Sequence, residues 1–91
     1  MESSNLYRIC TEDVNRENTR KIIGRYFDGF TLLSGEGVWR GSQENALVVE
    51  ILGDGEPGER AVISALCEDI KAENQQEAVL LQVVEMKGYL I

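Results

Sequence analysis

The chain has 91 residues, enough for one small domain, with 43% apolar side chains and a formal net charge of −7 from 16 acidic and 9 basic residues. That balance excludes a general nucleic-acid binder, which needs a basic face to displace counterions, and the ordinary apolar content excludes a disordered chain. No apolar stretch has bilayer length, the polar start Met1-Glu2-Ser3-Ser4-Asn5 lacks signal-peptide character, and histidine, the commonest general base and metal ligand, is absent.

Residues 5–11, Asn5-Leu6-Tyr7-Arg8-Ile9-Cys10-Thr11, predict a first strand. Asp13 or Asn15 then caps a helix running to Phe27, with Val14, Ile22, Ile23, Tyr26 and Phe27 on its apolar stripe. Arg16, Glu17, Arg20 and Lys21 fall outside that stripe, and Asp28-Gly29 ends the helix. A second strand runs from Phe30 to Val38 or Trp39, where Gly35 and Gly37 predict a bulge or the close approach of another backbone. The third strand, Ala46 to Leu52, has Leu47, Val49 and Ile51 on one face and Glu50 on the other. Gly53-Asp54-Gly55-Glu56-Pro57-Gly58 is turn chemistry before a helix over 59–73, whose Ile63, Leu66, Cys67 and Ile70 form one buried stripe. Asn74 is expected to take the left-handed stop. The last strand covers 77–84, and an apolar-ended tail over 85–91 is expected to pack on the domain or cross to a neighbouring subunit. Cys10 and Cys67 are too far apart for a metal motif and are expected to be reduced and buried.

The order βαββαβ predicts a single ferredoxin-like α+β domain over 1–91, with its core over 5–84. Its four-stranded antiparallel sheet carries both helices on one face. Apolar residues occupy both strand phases at Leu32 and Leu33, Val48 and Val49, Leu80 and Leu81, Val83 and Val84. The face without helices should therefore be covered, and a second copy is the expected cover. Alternating chain direction brings three connections to one end of the sheet. They hold Thr11, Glu12 and Asp13, then Trp39, Arg40 and Glu44, then Asn74, Gln76 and Glu77. A lone indole among converging amides and charges suits a small polar ligand. The candidate ligand-binding set is Trp39, Arg40, Glu44, Asn74, Gln76, Glu77 and Thr11. In the plain alternative these are ordinary polar loop residues, Trp39 caps the core and Glu44 pairs with Arg40 across the turn.

The run Gly37-Val38-Trp39-Arg40-Gly41-Ser42-Gln43-Glu44 supplies a Gly-x-Trp-x-Gly-x-x-Glu pattern. With Gly29-Phe30-Thr31, Val49-Glu50-Ile51 and Asn74-Gln75-Gln76-Glu77-Ala78-Val79-Leu80, the chain resembles a family of small uncharacterised tailed-bacteriophage proteins over residues 14–84. Asn45 stands where proline often follows the glutamate in that family. The resemblance implies a phage protein in the bacterial cytoplasm and brings no activity with it.

The residues favour a non-enzymatic oligomeric module that binds a small polar metabolite or nucleotide between subunits, with Trp39 stacking on a base and Arg40 near a phosphate. PII-type signal proteins use a similar fold in that way. An acidic inhibitor or adaptor that binds a host protein is the alternative. An enzyme would have to use Glu12, Glu44 or Glu77 as acid or base, and no histidine, carboxylate-pair motif or phosphate loop supports one. No catalytic residue, metal or cofactor is predicted.

Overall fold

In the computed structural model, which describes residues 4–89 and 91, the elements follow the predicted order. They are β1 (Ser4–Glu12), α1 (Arg16–Gly24), β2 (Thr31–Trp39), β3 (Ser42–Leu52), α2 (Glu59–Glu73) and β4 (Leu80–Met86). The strands form one antiparallel sheet in the order β2-β3-β1-β4. This is the expected ferredoxin-like α+β arrangement.

The strand phase sets the core. Tyr7 and Ile9 of β1 alternate with Leu6, Arg8 and Cys10, and Leu47, Val49 and Ile51 of β3 lie opposite them in register. These side chains pack on Ile22 and Ile23 of α1 and Ile63, Leu66 and Ile70 of α2, all within 3% of complete burial. Both helices therefore cover one face of the sheet.

Helix ends follow local chemistry, but α1 stops at Gly24 rather than Phe27, and Val14 and Asn74 also depart from expectation. The Asn15 side chain accepts a hydrogen bond from the Asn18 backbone N–H at 3.1 Å, the predicted N-cap. Val14 precedes that cap, so it leaves the stripe and is 49% exposed. At the end of α2 the left-handed residue is Gln75 (φ 54°), not Asn74. Gln75 and Gln76 donate their backbone N–H groups to the Ala72 and Lys71 carbonyls, which closes a Schellman motif. Asn74 is held back by tertiary partners. Its Nδ2 donates to Thr19 Oγ1 at 2.7 Å, and its Oδ1 accepts from Asn18 Nδ2 at 3.2 Å. A buried amide so partnered ties the start of α1 to the end of α2.

At the opposite end of the sheet, Tyr7 donates its hydroxyl to Glu59 Oε1 at 2.7 Å, and the Asp54 backbone N–H donates to Glu59 Oε2 at 2.8 Å. Glu59 thus anchors the first turn of α2, where Gly58 provides no side-chain cap. Burial, and then the bond to Glu59, push the Tyr7 phenol above its ordinary pKa. Below about pH 10 the phenol is neutral in folded and unfolded chains alike; above it the unfolded chain ionises first. Stability should therefore fall as pH rises past about 10, and more steeply in the wild type than in Tyr7→Phe. Urea midpoints between pH 8 and 11 read this difference.

Candidate functional site

The β2–β3 hairpin turns through Arg40 and Gly41, at φ 50° and 80°. Two consecutive positive φ values make the tight turn whose twist matches the strands. Glycine adopts such a value freely; Arg40 does so against its Cβ. The register runs unbroken from Thr31↔Glu50 to Trp39↔Ser42, so Gly35 and Gly37 create no bulge. β3 starts at Ser42 rather than Ala46, because the turn needs only two residues.

The hairpin outreaches the sheet. The last pair of β1 with β3 is Glu12↔Ala46, whereas β2 and β3 stay paired to Trp39↔Ser42. Four further residues of strand carry the tip about 13 Å past the end of β1. Trp39 is 66% exposed and Val38 68%, so the indole does not cap the core. The Arg40 guanidinium lies over the indole, 5.6 Å from its centroid, and does not reach Glu44.

Alternation places Gly35, Gly37 and Trp39 on the face away from the helices, with Ala46, Glu44 and Ser42 as their cross-strand partners. Glu12, opposite Ala46, shares that face. The glycines have no side chains there, so a shallow trough runs from the indole towards the sheet. Its floor is backbone and the Ala46 methyl. A Cβ on Gly37 would lie 3.3 Å from Glu44 Cγ and 3.6 Å from Ala46 Cβ, which shows Glu44 lying along one wall. At the foot of the ribbon, Glu12, Asp13, Gln43, Glu44 and Asn45 line an open cleft of about 380 Å³. Arg16 pairs with Asp13, whereas Glu12 and Glu44 have no cationic partner among the described residues.

The structure brings Trp39, Arg40 and Glu44 together on the ribbon. It places the other four candidates elsewhere. Thr11 is buried within β1, facing the helices opposite Leu47. Asn74 is buried in the network described above, and Gln76 Nε2 donates to its backbone carbonyl at 3.2 Å. Glu77 is exposed ahead of β4. β4 and β2 are opposite edges of the sheet, about 14 Å apart at ordinary strand spacing. The trough residues Gly35, Gly37 and Ala46, and Glu12 on the same face, were missing from the candidate set. Their signal was the two-residue spacing Gly35, Gly37, Trp39, which puts an indole and two bare positions on one strand face.

The rest of that open face is apolar with a polar belt. Leu33, Val48, Cys10 and Leu80 form one row, and Leu52, Leu6 and Val84 another. Between them lie Thr31, Glu50, Arg8 and Gln82, with Arg8 Nη2 2.9 Å from Glu50 Oε2. Leu33, Leu52, Leu80 and Val84 are 42–56% exposed. Cys10 and Cys67 are free and half-buried rather than fully enclosed. Burial pushes the Cys67 thiol up, which keeps it protonated and unreactive. Among the described residues, no helix is long and apolar enough to cross a membrane, and no cluster of potential metal ligands occurs.

No protein-family model matches the chain, and no curated protein does. Solved structures share its fold. A phage SAM lyase in the apo state is 16% identical, with a TM-score of 0.73 over 98% of this chain and 93% of that one. A phage SAM lyase in complex with S-methyl-5′-thioadenosine gives 15% identity and a TM-score of 0.70 over 93% and 90%. A nitrogen regulatory PII-like protein from Thiomonas intermedia K12, bound to ADP, AMP and bicarbonate, gives 13% and 0.67 over 98% and 97%. At these identities the likeness carries the fold. The lyase overturns the expectation of a non-enzymatic protein, since an enzyme stands among the structures most like this chain. That expectation rested on missing acid–base groups.

Proposed function

We propose that this chain is a phage protein of the bacterial cytoplasm that assembles through its open sheet face, binds S-adenosylmethionine in the Trp39 trough and cleaves it. The observation that carries this reading is the trough itself, with an exposed indole above two side-chain-free positions and a carboxylate along the wall. An adenine ring stacks on the indole, and the bare backbone lets the ribose come close. Glu44 and Glu12 lie on the same face and attract the sulfonium, and the net charge of −7 steers a cationic substrate towards the protein. The sulfur keeps the electron pair of the broken bond, and the released carbon can be satisfied by the substrate's own carboxylate. The protein then supplies orientation and field rather than a proton. Support from related folds is that both kinds of neighbour are seen with adenosine ligands. The exposed apolar rows at Leu33, Val48 and Leu80 and at Leu6, Leu52 and Val84 support self-assembly.

Two measurements test the reading. Incubation with S-adenosylmethionine should release S-methyl-5′-thioadenosine in proportion to protein concentration, read by chromatography. S-methyl-5′-thioadenosine at a hundred times its Kd should stabilise the fold by about 2.7 kcal/mol, a melting shift of several degrees. Neither product nor shift, together with capture of one host protein, would favour the acidic adaptor instead.

A further inference from the structure

The tip of the ribbon is dressed for a protein surface. Val38 lies on the helix-side face and Trp39 on the open face, so the tip is apolar on both sides, and both residues are about two-thirds exposed. Among the described residues the tip stands clear of the rest of the sheet, because the ribbon outruns β1 by four residue pairs. Arg40 at the apex, like Arg60, has no carboxylate in salt-bridge range among the described residues, whereas Arg8, Arg16, Arg20 and Arg25 each have one. The complement to this tip is present on the same molecule. The cleft at the ribbon's foot, about 380 Å³, carries Glu12 and Glu44 without cationic partners. The tip cannot fold back into its own cleft, since paired β-strand separates the two.

We infer that the ribbon tip of one copy docks into the acidic cleft of the next, with Arg40 set between Glu12 and Glu44 of the neighbour and Trp39 and Val38 covered by it. The contact is head-to-tail: different surfaces meet, so successive copies add in a ring or an open row rather than as a two-fold pair. The docked tip takes up Trp39, Glu12 and Glu44, the groups that the proposed function gives to the substrate, so tip and substrate exclude one another. The two-residue turn puts the Arg40 backbone at the end of the ribbon, where its guanidinium lies over the exposed Trp39 indole. The contact stands on exposure and charge and requires no bound ligand.

Trp39 is the only tryptophan, so its fluorescence reports on the tip alone. On raising the concentration of ligand-free protein, sedimentation should show assembly. Over the same range the emission should move to shorter wavelength, and acrylamide quenching should fall severalfold. Arg40→Glu should weaken assembly at least tenfold and restore the quenching of an exposed indole; so should Glu44→Arg. An equimolar mixture of these two variants should regain assembly and protection, since each supplies the charge the other lacks. Circular dichroism of each variant alone checks that it is folded. The inference is overturned if the wild type assembles while Trp39 stays fully quenchable, if it remains a monomer throughout, or if folded variants gain nothing on mixing.

Discussion

Trp39→Ala is expected to raise the Kd for S-methyl-5′-thioadenosine by about tenfold to a hundredfold, the 1–3 kcal/mol of a base–aromatic stack. The melting temperature should hold within about 2 °C, because exposed side chains contribute little to folding. The indole is 66% exposed and touches the guanidinium of its own neighbour rather than the core. Trp39→Phe keeps a smaller π face and should recover part of the affinity. Gly37→Val tests the floor of the trough independently. Its new Cβ would sit 3.3 Å from Glu44 Cγ, and its branches would fill the space the ribose needs. Valine suits a strand better than glycine, so this variant should lose binding without losing stability. Titration by calorimetry alongside thermal melts separates the two effects. A Trp39→Ala protein that binds as the wild type does, or melts far below it, would remove the trough from the mechanism.

Gly53→Ala should destabilise the fold by about 3 kcal/mol, through overpacking of a filled site. For a domain of this size that is a drop in melting temperature of about 10–20 °C. A Cβ at Gly53 would lie 2.3 Å from Glu59 Oε1 and 2.8 Å from Tyr7 Cε2. The Tyr7 ring cannot retreat, being 3% exposed and wedged in the core. Glu59 could swing away only by giving up the Tyr7 hydroxyl and the Asp54 N–H, which would uncap α2. Gly35→Ala provides the contrast. Its Cβ would meet nothing within 4 Å, so the change should stay within about 0.5 kcal/mol of wild type. Urea denaturation of the two variants distinguishes a steric clash from a general dependence on glycine; equal midpoints would refute the clash.

The strand and helix periods of this chain were legible without coordinates. Leu47, Val49 and Ile51 alternate, and Ile63, Leu66 and Ile70 recur at helical spacing, because local burial on one face imposes those patterns. α2 occupies the predicted 59–73, and the order βαββαβ led directly to the observed sheet. The expectation of a non-enzymatic protein rested on a count of acid–base residues, and such a count says nothing of chemistry that needs no proton transfer, so an enzyme with this fold among the similar structures stands against it. Asn74 was misread in a different way. Asparagine favours the left-handed stop locally, but Thr19 and Asn18, 55 and 56 residues distant, claim its amide and pass that conformation to Gln75.

By itself, the sequence determined the elements, their order and the burial of one sheet face, since these depend on residue type at short spacing. Only the tertiary structure decided which polar residues share a surface. Trp39, Glu44 and Glu12 share the open face because an unbroken register and a two-residue turn fix the strand phase. Thr11 and Asn74 belong to the interior because the helices close over them. Side-chain direction in a sheet reverses with a slip of one residue, and register is a property of paired strands rather than of either strand alone.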